Sequence, residues 1–212
     1  MPYTPPSLTT LIASTSRDLR DPANKVFSTQ EVTDFINWGL VECNRAYPLA
    51  QVETVDITDL ITPDKADRVY VVASREIYRV EVYTDGEFRE QVPEGVDYSN
   101  TGWDLFGSTL TLPTWLLLDP ARDTVKVYGY LDRETLSAGG DIAETDAEAE
   151  MGLRLYATLT GYQRLQNDRA QFQQWLALPG NNDISATQLD GMANTYLGQW
   201  NRHRNQMRRL RR

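Results

Sequence analysis

A chain of 212 residues with 41% hydrophobic and 24% charged side chains is ordinary globular composition, long enough for one compact domain or two small ones. Its 30 Asp and Glu outnumber its 21 Lys and Arg, a net charge of −9 that argues against a general polyanion binder. The lone Cys43 excludes an internal disulfide and a multi-cysteine metal site, and the lone His203 excludes a histidine-based triad or a multi-histidine metal site.

The first residues carry neither the charged start nor the apolar centre of a signal peptide. Apolar runs such as Trp115 to Leu118 are far too short to span a membrane, so a soluble cytoplasmic product is expected. Thr4-Pro5-Pro6-Ser7 reads as an extended lead-in to a short helix with Leu8, Leu11, Ile12 and Leu19, ended by Arg20-Asp21-Pro22. The next helix is the best marked. Ser28 and Glu31 stand at capping-box spacing, and Phe27 and Val32 at the positions of a hydrophobic staple. Val32, Phe35, Ile36, Leu40, Cys43 and Tyr47 form one face, and Pro48 stops the helix at Tyr47.

From Gln51 the hydrophobic period changes from that of a helix to that of a strand. Val52, Val55 and Ile57 make a weak strand, Arg68 to Ala73 a stronger one, and Glu76 to Thr84 alternates Ile77, Arg79, Glu81 and Tyr83 against Glu76, Tyr78, Val80 and Val82. Asp85-Gly86 is a two-residue turn that pairs this strand with Glu87 to Val92. Gly107-Ser108 suggests a second hairpin, from Trp103 to Phe106 and from Thr109 to Leu112, and Asp123 to Leu131 supplies a last strand. Short strands with turn signals between them predict an antiparallel sandwich or open barrel.

After the loop Leu136-Ser137-Ala138-Gly139-Gly140 the helical period returns. Thr145 and Glu148 stand at capping-box spacing, and Met151, Leu155, Leu159, Tyr162 and Leu165 form the expected buried face of a helix that continues to Leu178 or breaks near Asn167-Asp168. A final helix begins at the Ser185–Gln188 box and carries Leu189, Met192, Tyr196, Trp200, His203, Met207 and Leu210 on one stripe. Arg202, Arg204, Arg208, Arg209, Arg211 and Arg212 crowd its last turns. Without these six arginines, 15 positive side chains face 30 acids, so the body alone is about −15. The expected organisation is α+β: residues 1–50 and 137–180 form a helical bundle, 51–136 an antiparallel β insertion, and 181–212 an extended basic amphipathic docking helix.

Chemistry is sparse. Gly139-Gly140 lacks the lysine and the strand-to-helix context of a phosphate loop, and pairs such as Asp64 with Asp67 or Asp141 with Glu144 are what chance supplies among 30 acids. No cofactor, metal or enzymatic activity is expected. The tail is the candidate site: Tyr196, Trp200, Arg202, His203, Arg204, Met207, Arg208, Arg209, Leu210, Arg211 and Arg212, an apolar stripe running through a basic block and in need of a partner to bury it. Arginine, with no lysine after Lys126, suits forked contacts to carboxylates at a buried joint. A rival reading is a nucleic-acid-binding accessory protein using the same arginines in salt-dependent contacts to phosphates.

The order of short segments resembles that of tailed-phage head-to-tail adaptors, the connector proteins that dock under the portal. The likeness lies in Leu8-Thr9-Thr10-Leu11-Ile12, Leu19-Arg20-Asp21, Phe27-Ser28-Thr29-Gln30-Glu31-Val32 and Phe35-Ile36-Asn37-Trp38 with the helix end at Tyr47-Pro48. It continues through Val96-Asp97-Tyr98, Leu110-Thr111-Leu112-Pro113, Val127-Tyr128-Gly129-Tyr130 and Leu136-Ser137, then Leu155-Tyr156-Ala157, Tyr162, Asp168-Arg169-Ala170 and Trp175. The resemblance implies a ring of identical subunits, commonly twelve, in the virion neck, assembled in the host cytoplasm. Its implied partners are the portal protein, copies of itself, and a tail or stopper protein, with DNA passing through the channel without specific binding and no membrane contact. It implies no catalytic residues. An acidic body with a basic extension also offers the two unlike surfaces that a head-to-tail ring requires.

Overall fold

The computed structural model describes residues 3–55, 68–95, 101–119, 121–141, 143 and 145–210. The order of elements is α1 (Leu8–Asp18), α2 (Thr29–Ala46), β1 (Leu49–Val55), β2 (Arg68–Val71), β3 (Glu76–Thr84), β4 (Glu87–Val92), β5 (Asp104–Phe106), β6 (Thr109–Leu112), β7 (Asp123–Leu131), α3 (Ala147–Asn167), α4 (Arg169–Leu176) and α5 (Ala186–Leu210). The fold is α+β, with helices from both ends of the chain flanking antiparallel sheet structure that is not closed into a barrel. It divides into two compact units, a helical one of Met1–Pro48 with Arg133–Arg212 and a β unit of Leu49–Asp132. Ile57, Asp64, Asp67, Val96-Asp97-Tyr98 and Glu144 lie outside the described residues.

Caps set most helix boundaries. Ser28 accepts from the Glu31 N–H while the Glu31 carboxylate accepts from the Ser28 N–H at 2.9 Å, a complete capping box at the start of α2. Behind it Val32, Phe35, Ile36, Leu40, Cys43 and Tyr47 are all buried. The start of α3 departs from expectation. Thr145 is itself buried and hydrogen-bonded to the Tyr3 hydroxyl, so Asp146 serves as the cap and accepts from the Ala149 N–H at 2.7 Å. Met151 is 54% exposed, because α3 turns small residues, Ala149, Gly152 and Ala157, toward its neighbours. Asp168 ends α3 and caps α4, accepting from the Gln171 N–H at 3.0 Å; the break falls at Asn167.

The end of α1 is secured from outside. Arg20 takes a positive φ of 57°, which lets the Asp21 N–H reach Ser16 O and the Arg20 N–H reach Arg17 O, the Schellman pattern without its usual glycine. Three carbonyls at this end then receive donors from other elements: Asp18 O from the Tyr162 hydroxyl, Leu19 O from the Trp175 indole and Arg20 O from the Asn181 amide. The buried Asp21 carboxylate accepts from the backbone N–H groups of Lys25, Val26 and Phe27, so the turn into α2 is tied to the same point.

In the β unit a four-stranded sheet, β1-β7-β3-β4, shares one core with a three-stranded sheet, β2-β6-β5. Asp85 and Gly86 both have positive φ, as the tight turn between β3 and β4 requires. The expected alternation along β3 fails at one residue. A bulge at Tyr78, between the Ile77–Gly129 and Arg79–Tyr128 pairs, puts Ile77, Val80 and Val82 together in the core. Glu81, left on the other face, is covered there by the Tyr83 hydroxyl at 2.8 Å and by Arg79 at 3.3 Å, while the Arg79 guanidinium stacks on Tyr128. The carboxyl of Glu81 is held below its ordinary range by these donors and cations, against the opposing pull of desolvation.

Where the chain re-enters the helical unit, two asparagines of α2 act as surrogate strands. Asn44 accepts from the Arg133 N–H at 2.9 Å and donates to Arg133 O at 3.1 Å; Asn37 accepts from the Leu136 N–H and donates to Leu136 O, both at 2.9 Å. Their spacing of two helical turns puts both amides on one face, where they pin an extended segment that has no sheet to pair with. Replacing either Asn by Leu leaves a backbone N–H and C=O without their partners. Each substitution is expected to lower stability by roughly 1–3 kcal/mol in urea denaturation. A change within a few tenths would show that the clamp is dispensable.

Candidate interaction surface on the last helix

The start of α5 follows the residues: the Ser185 hydroxyl accepts from the Gln188 N–H at 3.2 Å and the Gln188 side chain accepts from the Ser185 N–H at 2.8 Å. The helix then runs antiparallel to α3. Tyr196 meets Tyr162 at 5.5 Å between ring centroids, Trp200 meets Tyr156 edge-on at 5.3 Å, and Gln166 donates to Asp190 at 2.7 Å. This brings the arginine-rich end of α5 alongside the acidic start of α3, where Asp146, Glu148 and Glu150 stand.

The apolar stripe does not look outward for burial. Leu189, Ala193, Trp200 and Met207 belong to the core of the helical unit, and His203 is 5% exposed. The expectation that Trp200, His203 and Met207 bury themselves in a partner is therefore corrected: α2 and α3 already cover them. Tyr196 is half-buried against Tyr162, between a cleft of about 650 Å³ reaching Ile184 and Met192 and one of about 350 Å³ reaching Met151 and Leu155. Asp18 borders both clefts and is paired with Arg154 at 2.8 Å.

One glycine makes the packing possible. A Cβ at Gly152 of α3 would overlap the Tyr47 hydroxyl and lie 2.8 Å from the His203 ring. Through that notch Tyr47 meets His203 edge-on at 5.9 Å and Trp200 at 6.4 Å, while its hydroxyl and the Cys43 thiol lie 3.0 Å apart. The Arg133 guanidinium lies on Tyr47 as well, 5.7 Å from the ring centre, and donates to Tyr47 O at 3.0 Å. His203 Nε2 has no hydrogen-bond partner among the described residues, so the ring serves as packing material here. Burial pushes the Cys43 thiol up to about 11 and raises the Tyr47 phenol, leaving both neutral at ordinary pH.

What the last turns of α5 present to solvent is cationic and polar, while Leu197 is exposed further back on the helix. Arg202 and Arg208 are exposed and Arg204 is half-buried, and none of the three has a carboxylate within ion-pair distance among the described residues. Arg209 and Leu210 continue the helix with side chains outside the described set, and Arg211 and Arg212 lie beyond it. Gly191 and Gly198 stand a heptad apart on the exposed side, and a Cβ at either would touch nothing. Sequence periodicity found the stripe. Gly152, Tyr156 and Arg133, which complete its pocket, carry no periodic signal of their own.

No metal-holding group of three His, Cys, Asp or Glu side chains occurs among the described residues. No helix is long and apolar enough to cross a membrane among them. Gly152→Ala is expected to lower the thermal midpoint by the equivalent of roughly 1–3 kcal/mol through overpacking. Gly191→Ala and Gly198→Ala should each raise stability by roughly 0.4–1 kcal/mol, since nothing in the chain uses their lack of a side chain. The native Cys43 should react with a thiol reagent only at the rate of unfolding, and fast native labelling would contradict its burial. The chain matches no family model and no curated protein.

Proposed function

We propose that this chain is a structural assembly protein, a ring-forming adaptor between portal and tail in the neck of a tailed phage. The reading starts from the adaptor-like order of its segments and is supported by one observation above the others. The guanidinium groups of Arg202, Arg204 and Arg208 stand unpaired on a helix whose apolar side is already committed to its own unit. Such charges are available for carboxylates outside the subunit, on the portal or on a neighbouring copy. Part of their placement also suits the negative end of the helix dipole. That effect accounts for stability of the helix end; apart from the Arg202 Nε–H, which donates to Gly198 O at 3.4 Å, no hydrogen bond engages these three guanidinium groups among the described residues.

In this reading the rigid part of α5 is scaffold, and recognition belongs to its arginines. Removing the helix after Gln199 would strip Trp200, His203 and Met207 from the core and unfold the unit, so truncation cannot separate docking from folding. The decisive variant keeps the helix and replaces Arg202, Arg204, Arg208, Arg209, Arg211 and Arg212 with Gln. It should fold with a cooperative thermal transition, its stability lowered by no more than roughly 1–2 kcal/mol from the lost dipole interaction, and lose attachment to portal-bearing heads, scored by sedimentation and negative-stain imaging. Normal attachment would sink the adaptor role of this surface. The rival reading, nucleic-acid accessory binding, is favoured by the same unpaired arginines and requires tight, salt-sensitive retention of a DNA duplex in a gel shift.

A further inference from the structure

The net charge of the chain is not shared between its units. Residues 49–132 hold 16 Asp and Glu against 7 Lys and Arg, whereas the rest of the chain holds 14 of each, so the whole surplus of −9 resides in the β unit. The five cationic side chains of the β unit that are described are already engaged. Arg75 pairs with Asp132, Arg79 with Glu81, Arg89 with Glu90 and Asp123, and Arg122 with Asp85, while Lys126 lies over the Tyr83 ring. Glu87 at the start of edge strand β4 and Glu94, two residues past its end in a bridge with Trp103, are exposed and have no ion pair among the described residues. The helical unit shows the converse, with its neutral total concealing a run of unpaired cations on α5.

We infer that the outward side of α5, bordered by the exposed Arg202 and Arg208, docks on the acidic β unit of a second copy of this chain, along the β4 edge. Each subunit then carries one basic and one acidic surface, and because these differ, the contact is heterologous and propagates from copy to copy. Acids on an edge strand discourage strand-on-strand addition while leaving the edge open to a cationic helix. Opposed charges at the rim of such a contact steer and orient association, and salt weakens them. This inference rests on the ring reading above and adds to it which two surfaces meet.

The test uses the full chain without portal. Sedimentation equilibrium and native mass are recorded across protein concentration at low and high salt for four proteins: wild type, Arg202→Glu with Arg208→Glu, Glu87→Arg with Glu94→Arg, and all four substitutions together. All four positions are exposed, and a retained cooperative thermal transition serves as the folding control. The wild type should self-associate at low salt and dissociate as salt rises. Each double variant alone should weaken association by about tenfold or more, and the quadruple variant should recover most of it. A chain that stays monomeric at every concentration and salt, a double variant that associates like wild type, or a quadruple variant that fails to recover overturns the assignment. If association fails these tests while portal-bearing heads are still joined, the adaptor reading stands and only this pair of surfaces falls. Retention of a DNA duplex that is lost in Arg202→Glu with Arg208→Glu, without self-association, would assign the arginines to nucleic acid instead.

Discussion

The absence of a side chain at Gly152 is the constraint on which the helical unit depends. Because nothing projects from α3 at that point, the Tyr47 ring at the end of α2 and the His203 ring of α5 both reach its backbone. Three helices from distant parts of the sequence therefore converge within the length of one aromatic ring. Around them Trp200, Tyr156 and Arg133 close the junction. Close packing of this kind tolerates neither added volume nor a void, so α5 is held along its length as part of the fold.

That packing changes what the basic helix means. An amphipathic helix with a cationic end can hold its partner through its apolar side or through its charges. Here the apolar side is spent on intramolecular burial, worth roughly 1.5–3 kcal/mol for each large side chain. In the proposed reading, recognition is left to the guanidinium groups on the outward side. Charge-mediated contacts of this kind govern orientation and partner choice more than raw affinity. They suit assembly, in which many weak, directional contacts are made in series.

Side-chain amides and carboxylates do much of the work of joining chain segments that regular hydrogen bonding cannot reach. Asn37 and Asn44 give the segment at residues 133–136 a ladder to pair with, Asp21 gathers three backbone N–H groups, and Tyr162, Trp175 and Asn181 satisfy the end of α1. The two units differ in this respect. The β unit is held by strand pairing and one apolar core, whereas the helical unit adds to its own apolar core the polar clamps at its chain crossings.

Local signals determined the elements. The Ser28–Glu31 and Ser185–Gln188 boxes, the turn at Asp85-Gly86, the stop before Pro48 and the alternation in Asp123–Leu131 all act within a few residues, so they are legible without knowing what lies across the fold. The apolar stripe of α5 was equally legible, and so was the separation of its arginines from the acids. What fills the space against that stripe was decided only in three dimensions. Periodicity states that a face must be buried, and it is silent on whether the covering surface is another helix of the same chain. The bulge at Tyr78, the cap at Asp146 in place of Thr145, and the exposure of Met151 have the same origin: each depends on a neighbour brought near by folding, across a separation that no local pattern spans.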